Sequence, residues 1–406
     1  MTGGQPRLHR TMKNSVTAAL AAAFALLVGG CATEKEPPLA LTGDIRVDGP
    51  NAIDHGPARD KLLWQYRTAA ADMRSGNYDQ AKQYLDDALL RLGGIYGKDK
   101  NAQKARSYFH EESRKTFIGE PYERVMAYYY RGIIYWMDGE PDNARACFRS
   151  GQIEDSSSEG EQYNADYVLL DYLDGLATAK LAGDGSDAYN RAIAEDKQFA
   201  RPPPYDAGAN VLFFLEFSPG PRKYATGEYR EELRFSIPSP TVFSAAIRVE
   251  GQTIQVGPYD DLWFQATTRG GRVMDHVLAN KAVFKKATDV AGTAAIVGGA
   301  TTAIVSGNQT GEAVGLGLVA AGLITKVFSS STTPAADTRA WDNLPRYLSF
   351  AALRLAPGPH VAIIEFQGQG GATLANLTKT FTVNVPADKR DKVVFVSDAS
   401  TTPQTL

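Results

Sequence analysis

Residues 128–151, YYYRGIIYWMDGEPDNARACFRSG, decide how the first half of the chain folds. Apolar residues recur there at helical spacing on both sides of Gly139, and a glycine at that position permits a tight turn between antiparallel helices. The small side chain of Ala144 lets two helices approach each other closely. We therefore predict a helical hairpin. The other residues expected to pack inside it are Gly132, Tyr135 and Phe148.

The same pattern occurs earlier, in residues 69–89 (AAADMRSGNYDQAKQYLDDAL). Its corresponding positions are Gly76, Tyr78, Ala81 and Ala88. Both stretches resemble a tetratricopeptide repeat, a unit of two antiparallel helices. Gly76 and Gly139 are 63 residues apart, almost twice the usual repeat of about 34 residues. One repeat-length insertion is therefore expected between them, and a third, degenerate copy is expected over residues 172–193.

This resemblance implies a short helical stack whose ends the rest of the chain must cap. Five aromatic residues crowd one of the predicted helices, namely Tyr128, Tyr129, Tyr130, Tyr135 and Trp136. Two interpretations of them stay open. They either pack in the core or, in part, line a peptide-binding groove.

Strand-like runs replace helical spacing after residues 201–204, RPPP. The continuous apolar run NVLFFLEF at 210–217 predicts a strand, and turn signals at Glu250-Gly251 and Pro357-Gly358 predict two hairpins. Further strands are predicted in TKTFTVNV (378–385) and DKVVFV (391–396). Six or seven strands in two blocks favour a small β-sandwich. The predicted fold class is α+β, with tetratricopeptide-like repeats followed by a β-sandwich that a glycine-rich helical hairpin interrupts.

The predicted domain order divides the chain into seven parts. These are a signal peptide (1–30), a flexible tether (31–57), a helical domain (58–200), the first half of a β-domain (201–268), a basic amphipathic helix with the glycine-rich hairpin (269–336), the second half of the β-domain (337–399) and a tail (400–406).

Small residues recur every fourth position in the glycine-rich segment, which puts each set on one face of a helix. The first set is Ala295, Gly299, Ala303 and Gly307, and the second is Ala313, Gly317 and Ala321. A face without bulk lets two backbones approach closely, so a tight helical hairpin is expected. Three environments stay open for it: burial in the protein, insertion into lipid, and self-association.

The N-terminus has the features of a secretion signal. A basic region is followed by thirteen mostly apolar residues, VTAALAAAFALLV, and then by Gly29, Gly30 and Cys31. This order resembles the lipobox of bacterial lipoproteins, in which the cysteine receives the lipid. The resemblance implies a lipid anchor at Cys31, and Ala32 in place of an aspartate implies sorting to the outer membrane of a Gram-negative bacterium, facing the periplasm.

Composition and motifs argue against several functional classes. The chain of 406 residues has a formal net charge of −3, which offers no excess of positive charge for a nucleic acid. None of the five histidines has a second histidine at metal-ligand spacing, and no nucleophile motif occurs. We therefore expect neither a cofactor nor catalysis.

Two phrases, FIGEPYERVMAYYYRG (117–132) and ADTRAWDNLP (336–345), resemble an uncharacterised family of bacterial lipoproteins. That family combines a tetratricopeptide-like region with a β-rich C-terminal part, and membership would imply a role in cell-envelope maintenance. The residues singled out by the phrases are Glu120, Tyr122, Glu123, Arg124, Asp337, Arg339 and Trp341. They are expected either to brace the contact between domains or to recognise a partner.

These features together predict an outer-membrane lipoprotein that acts as a periplasmic binding or assembly scaffold. Its expected partner is a periplasmic or outer-membrane protein, and a homo-oligomer stays open. The alternative is a membrane-active or oligomer-forming lipoprotein whose glycine-rich hairpin (290–328) inserts into lipid.

Overall fold

The computed structural model describes residues 39–96, 116–156, 165–196, 198–268, 335–388 and 390–400. The described residues from Leu41 onward belong to one compact unit of α+β structure, as predicted for the fold class. Its helices are α1 (Ile45–His55), α2 (Lys61–Ser75), α3 (Tyr78–Tyr96), α4 (Pro121–Met137), α5 (Pro141–Asp155), α6 (Val168–Lys180) and α7 (Ser186–Glu195), with a short α8 (Leu262–Thr267) among the strands.

Three pairs of consecutive helices, α2/α3, α4/α5 and α6/α7, pack side by side. Gly76 follows α2 with φ +78°, and Gly139 follows α4 with φ +81°, a left-handed conformation that glycine adopts without steric cost. Inside the second pair, a Cβ added to Gly132 would lie 2.6 Å from the ring of Phe148. Glycine at this position therefore lets α4 and α5 approach closely. Ala81, Ala88 and Ala144 are fully buried, and Tyr78 and Tyr135 are partly buried.

The strands form two four-stranded sheets and one hairpin. They are β1 (Val211–Pro219), β2 (Arg222–Thr226), β3 (Glu232–Ser236), β4 (Ser244–Val249), β5 (Gln252–Val256), β6 (Asp260–Asp261), β7 (Pro345–Leu353), β8 (Gly358–Gln367), β9 (Lys379–Val385) and β10 (Lys392–Ser397). The first sheet has the order β10-β1-β7-β6 and the second β5-β4-β8-β9, while β2 pairs with β3 alone. Strands β1 and β10 run parallel, so the first and last long strands are neighbours.

Strand β1 is covered on both faces, which explains its continuous apolar run. Side chains alternate along a strand. Phe213 and Phe217 belong to the core shared by the two four-stranded sheets. Leu212 and Phe214 belong to the core shared with the helices. The first sheet is therefore the middle of three layers, between the helices and the second sheet.

The aromatic residues of α4 pack against this middle sheet. The rings of Tyr129 and Phe214 lie 6.4 Å apart between centroids, and those of Trp136 and Phe214 lie 6.2 Å apart. Tyr129, Tyr130 and Trp136 are fully buried or nearly so. The interpretation of these three as lining of a peptide-binding groove is therefore wrong. The sheet covers the face of α4 on which they lie.

The prediction of a flexible tether over 31–57 is wrong for its second half, where α1 forms. Asp44 caps this helix by accepting a hydrogen bond from the Arg46 N–H. Gly49 packs so closely on α2 that a Cβ there would lie 1.9 Å from Thr68 Oγ1. Packing on α2 thus favours a helix that the local sequence, with Pro50 inside it, does not favour.

Several predictions fall on residues that the structure does not describe. They concern the signal peptide with Cys31, the helices of segment 269–334 and all of the tail except Ser400. The hairpin residues Ala295, Gly299, Ala303, Gly307, Ala313, Gly317 and Ala321 lie outside the described residues.

Candidate functional site

A segment without regular secondary structure before β7, residues 336–344, lies against α2 and is called the strap. Three side chains join it to this helix. Arg67 donates from Nε and Nη2 to the Ala340 carbonyl, at 3.1 and 2.8 Å. Asn343 donates to the Arg67 carbonyl at 2.9 Å, and Arg74 donates to the Asn343 carbonyl at 2.6 Å. Polar contacts at Ala340 and Asn343 thus fix the position of the strap relative to α2.

Trp341 forms the apolar centre of the strap. Its indole is fully buried and stacks on the Tyr66 ring, with centroids 4.5 Å apart and planes at 15°. Tyr130 packs against the same indole at 5.8 Å. One large aromatic side chain therefore joins the strap to α2 and α4 together. Such a contact contributes both buried area and a defined ring geometry.

Glu123 forms the polar centre of the same contact and is 0% exposed. Its Oε1 accepts from the Trp341 backbone N–H at 2.6 Å. Its Oε2 accepts from the Glu120 N–H at 2.6 Å and from Lys223 Nζ at 2.5 Å. Lys223 is itself 2% exposed at its side chain and also donates to the Arg339 carbonyl. Through these three hydrogen bonds, the buried carboxylate of Glu123 connects α4 to the strap and to β2.

The remaining residues of the two phrases also have defined partners. Arg339 binds Asp337 through Nε and Nη2 and binds Asp60 Oδ1 through Nη1 at 2.6 Å. Arg124 donates to Glu154 Oε2 at 2.6 Å. Tyr122 is buried, and its ring meets that of Phe235 edge to face at 6.0 Å. The structure thus brings the phrases around 117–124 and 337–341 together, although more than two hundred residues separate them.

A cleft of about 340 Å³ opens beside the strap, between α2 and β2, and is called the strap cleft. Its lining residues are Asp60, Leu63, Trp64, Arg67, Arg222, Lys223, Thr338, Arg339, Ala340 and Asp342. Neither Glu120 nor Glu123 is among them. The sequence motifs led to the strap but missed Arg67 and Arg222, which lie in the cleft. The only local signal was the Arg222-Lys223 pair at the end of the Pro- and Gly-containing stretch 218–223, SPGPRK.

A second buried polar group lies where the helices meet the middle sheet. Glu216 of β1 is 0% exposed and accepts from Arg74 Nε at 2.6 Å and from the Tyr130 hydroxyl at 2.5 Å. Because Arg74 also binds the Asn343 carbonyl of the strap, this group links β1, α2 and the strap. A single charged residue inside the apolar run 210–217 was the sequence signal for it.

The first turn of α6 is held by a third buried group. Asp260 accepts from the Val168 and Leu169 backbone N–H groups, at 3.0 and 2.9 Å. Such bonds satisfy donors that a helix N-terminus leaves without partners. Burial nevertheless raises the pKa of Asp260 to about 8. Nearby, Gln265 donates to Asp166 at 2.8 Å.

Comparisons with protein-family models, with curated proteins and with solved structures find no match. Within the described ranges, no group of three or more His, Cys, Asp and Glu side chains could hold a metal ion. No helix in the part of the chain that the structure describes is long and apolar enough to cross a membrane.

Proposed function

We propose that the protein is a lipid-anchored binding module without catalysis. In this proposal, Cys31 carries the lipid, and the chain faces the periplasm from the outer membrane. The support is the order of basic region, apolar run and Gly-Gly-Cys at residues 7–31. The resemblance to an uncharacterised lipoprotein family adds a proposed role in envelope maintenance.

The finer architecture belongs to the same proposal. The three helix pairs are tetratricopeptide-like repeats, and the two four-stranded sheets form a β-sandwich that caps the repeats. The pairing of helices at Gly76 and Gly139 supports the first statement, and the core that both sheets share supports the second. Because the middle sheet covers the aromatic face of α4, the partner binds elsewhere on the surface.

The single observation that carries the binding function is the strap cleft. Glu123 and Arg339, which the sequence motifs selected, help to hold the strap in place. Both carboxylate oxygens of Glu123 accept hydrogen bonds, from three donors in total. The result is a rigid, charged concavity beside a fixed backbone segment. Ligand sites are usually preformed clefts of this kind, with a few fixed polar groups.

Fractionation of cells that express Cys31→Ala behind a cleavable secretory signal tests the anchor. We expect the unchanged chain to remain with outer membranes after a high-salt wash and Cys31→Ala to be soluble in the periplasm. Cys147→Ser is the matched control, since Cys147 is the other cysteine of the chain and is buried. It should fractionate like the unchanged chain.

Two results would count against the proposal. Membrane association of Cys31→Ala that survives the high-salt wash would favour the alternative, in which residues 290–328 insert into lipid. A soluble unchanged chain would exclude the lipid anchor altogether.

A further inference from the structure

The two basic residues at the rim of the strap cleft differ in how they are bound. Arg222, the first residue of β2, has a side chain that is 52% exposed. Its closest carboxylate among the described residues is Asp342, with 3.9 Å between Arg222 Nη1 and Asp342 Oδ2. That distance is too long for a hydrogen bond. Among the described residues no hydrogen bond holds the Arg222 guanidinium, so its N–H groups can donate to a ligand.

Arg67 is fixed in place beside it. Its Nε and Nη2 bind the Ala340 carbonyl, and its Nε lies 2.9 Å from Asp342 Oδ1. The guanidinium also lies over the Trp64 ring, 5.2 Å from the centroid. In the part of the chain that the structure describes, Arg67 Nη1 makes no hydrogen bond. A guanidinium already held in one orientation loses little freedom when it binds an anion.

The deeper basic residues of the cleft are paired with carboxylates of the protein. Lys223 lies 2.5 Å from Glu123 and 4.0 Å from Glu120. Arg339 pairs with Asp337 and Asp60. These two cations face four carboxylates, so the floor of the cleft does not attract an anion. At the rim, by contrast, two guanidiniums share the single carboxylate of Asp342. The rim has one positive charge in excess.

The size and apolar wall of the cleft restrict the ligand further. A volume of about 340 Å³ is at the small end of ligand sites, which span roughly 300–1,000 Å³. It accommodates two or three side chains but not a folded domain. Leu63 and Trp64 supply an apolar wall next to the rim. A ligand that matches both the basic rim and the apolar wall has a carboxylate beside an apolar side chain.

We infer that the strap cleft binds a short acidic segment of a partner protein, with a side-chain carboxylate on Arg222 and Arg67 and an adjacent apolar side chain on Trp64. The inference rests on the proposed binding function and names the class of segment that would be bound.

Isothermal titration calorimetry on the soluble Cys31→Ala chain tests this directly. The probe is the peptide acetyl-Gly-Glu-Leu-Glu-Gly-amide, and acetyl-Gly-Gln-Leu-Gln-Gly-amide is its uncharged counterpart. We expect the acidic peptide to bind at least about tenfold more tightly, as for one hydrogen bond between charged groups. Arg222→Glu should weaken binding of the acidic peptide at least about tenfold. Asp342→Asn should strengthen it, because it removes the carboxylate that now occupies the rim.

Arg248→Glu is the matched control. Arg248 also lies on a strand, is also 52% exposed at its side chain, and pairs with Glu365 in the second sheet. Neither residue lines the strap cleft. It should bind the acidic peptide like the unchanged protein.

Equal binding of the two peptides, no binding of the acidic one, or an Arg222→Glu variant with unchanged affinity would overturn the inference. So would inorganic phosphate that binds more tightly than the peptide, since the site would then select phosphate. Because the titration uses the chain without lipid, its failure is distinguishable from failure of the anchor at Cys31.

Discussion

Glu123→Gln should destabilise the fold strongly, because Glu123 joins the strap to α4 and β2. Glutamine keeps one oxygen, which can still accept the Trp341 N–H. Its amide nitrogen would face the Glu120 N–H and Lys223 Nζ, so two donors that now bind Glu123 Oε2 would meet a third donor. Removal of one partner from a buried ion pair costs about 3–5 kcal/mol. We expect a loss of that size in the free energy of unfolding.

Urea unfolding followed by circular dichroism and by tryptophan fluorescence measures this loss. Glu232→Gln is the control, since Glu232 and Arg234 form an exposed pair at 2.8 Å with side chains 52% and 58% exposed. Its effect should stay below about 0.5 kcal/mol. Adding Lys223→Met to Glu123→Gln should restore part of the stability, because it removes the buried charge that lost its partner. A Glu123→Gln variant within about 1 kcal/mol of the unchanged protein would refute the bracing role.

Two further substitutions test the packing and the buried carboxyl. Gly132→Ala should lower the free energy of unfolding in urea by about 1–3 kcal/mol, because the new Cβ would lie 2.6 Å from the Phe148 ring. Gly93→Ala in α3 is the control and should be neutral or stabilising, because nothing lies within 4 Å of its Cβ. Equal effects of the two substitutions would contradict the close approach of α4 and α5. Burial raises the pKa of Asp260 to about 8, so its folded pKa exceeds its unfolded one. The neutral form of Asp260 therefore favours folding. Its contribution to the free energy of unfolding is complete below about pH 4 and is lost as the pH rises to 8, at up to about 1.4 kcal/mol per pH unit. Urea midpoints between pH 6 and 8 should therefore fall more steeply for the unchanged protein than for Asp260→Asn, and parallel pH profiles would exclude this role.

The helix pairs and strands could largely be predicted from local patterns. Gly76 and Gly139 mark turns because few other residues adopt their positive φ, and the run 210–217 predicts a strand because apolar residues continue through it. The parallel pairing of β1 with β10 could not be predicted in this way. It joins residues about 180 positions apart, and nothing local to either strand specifies the partner.

Tertiary contacts explain the wrong predictions. Gly49 and Pro50 argue locally against a helix, yet Gly49 is what permits α1 to pack on Thr68. The spacing of the tyrosines of α4 favours a core for most of them but is also compatible with a groove for some. Only the position of the middle sheet decides between these interpretations.

The candidate site was predictable in part. The two phrases with Glu123 and Trp341 led to residues that are in contact, with 2.6 Å between Glu123 Oε1 and the Trp341 nitrogen. That contact depends on the path of the chain between them and has no local signal. Arg222 was missed because it lies in a stretch whose Pro and Gly residues read only as a turn.

The intact mass of the mature protein, purified from membranes, tests the central proposal of a lipid-anchored module most directly. We predict a chain that begins at Cys31 and carries the added mass of lipid on its N-terminal peptide. A mature chain that begins elsewhere, or a Cys31 without added mass, would contradict it.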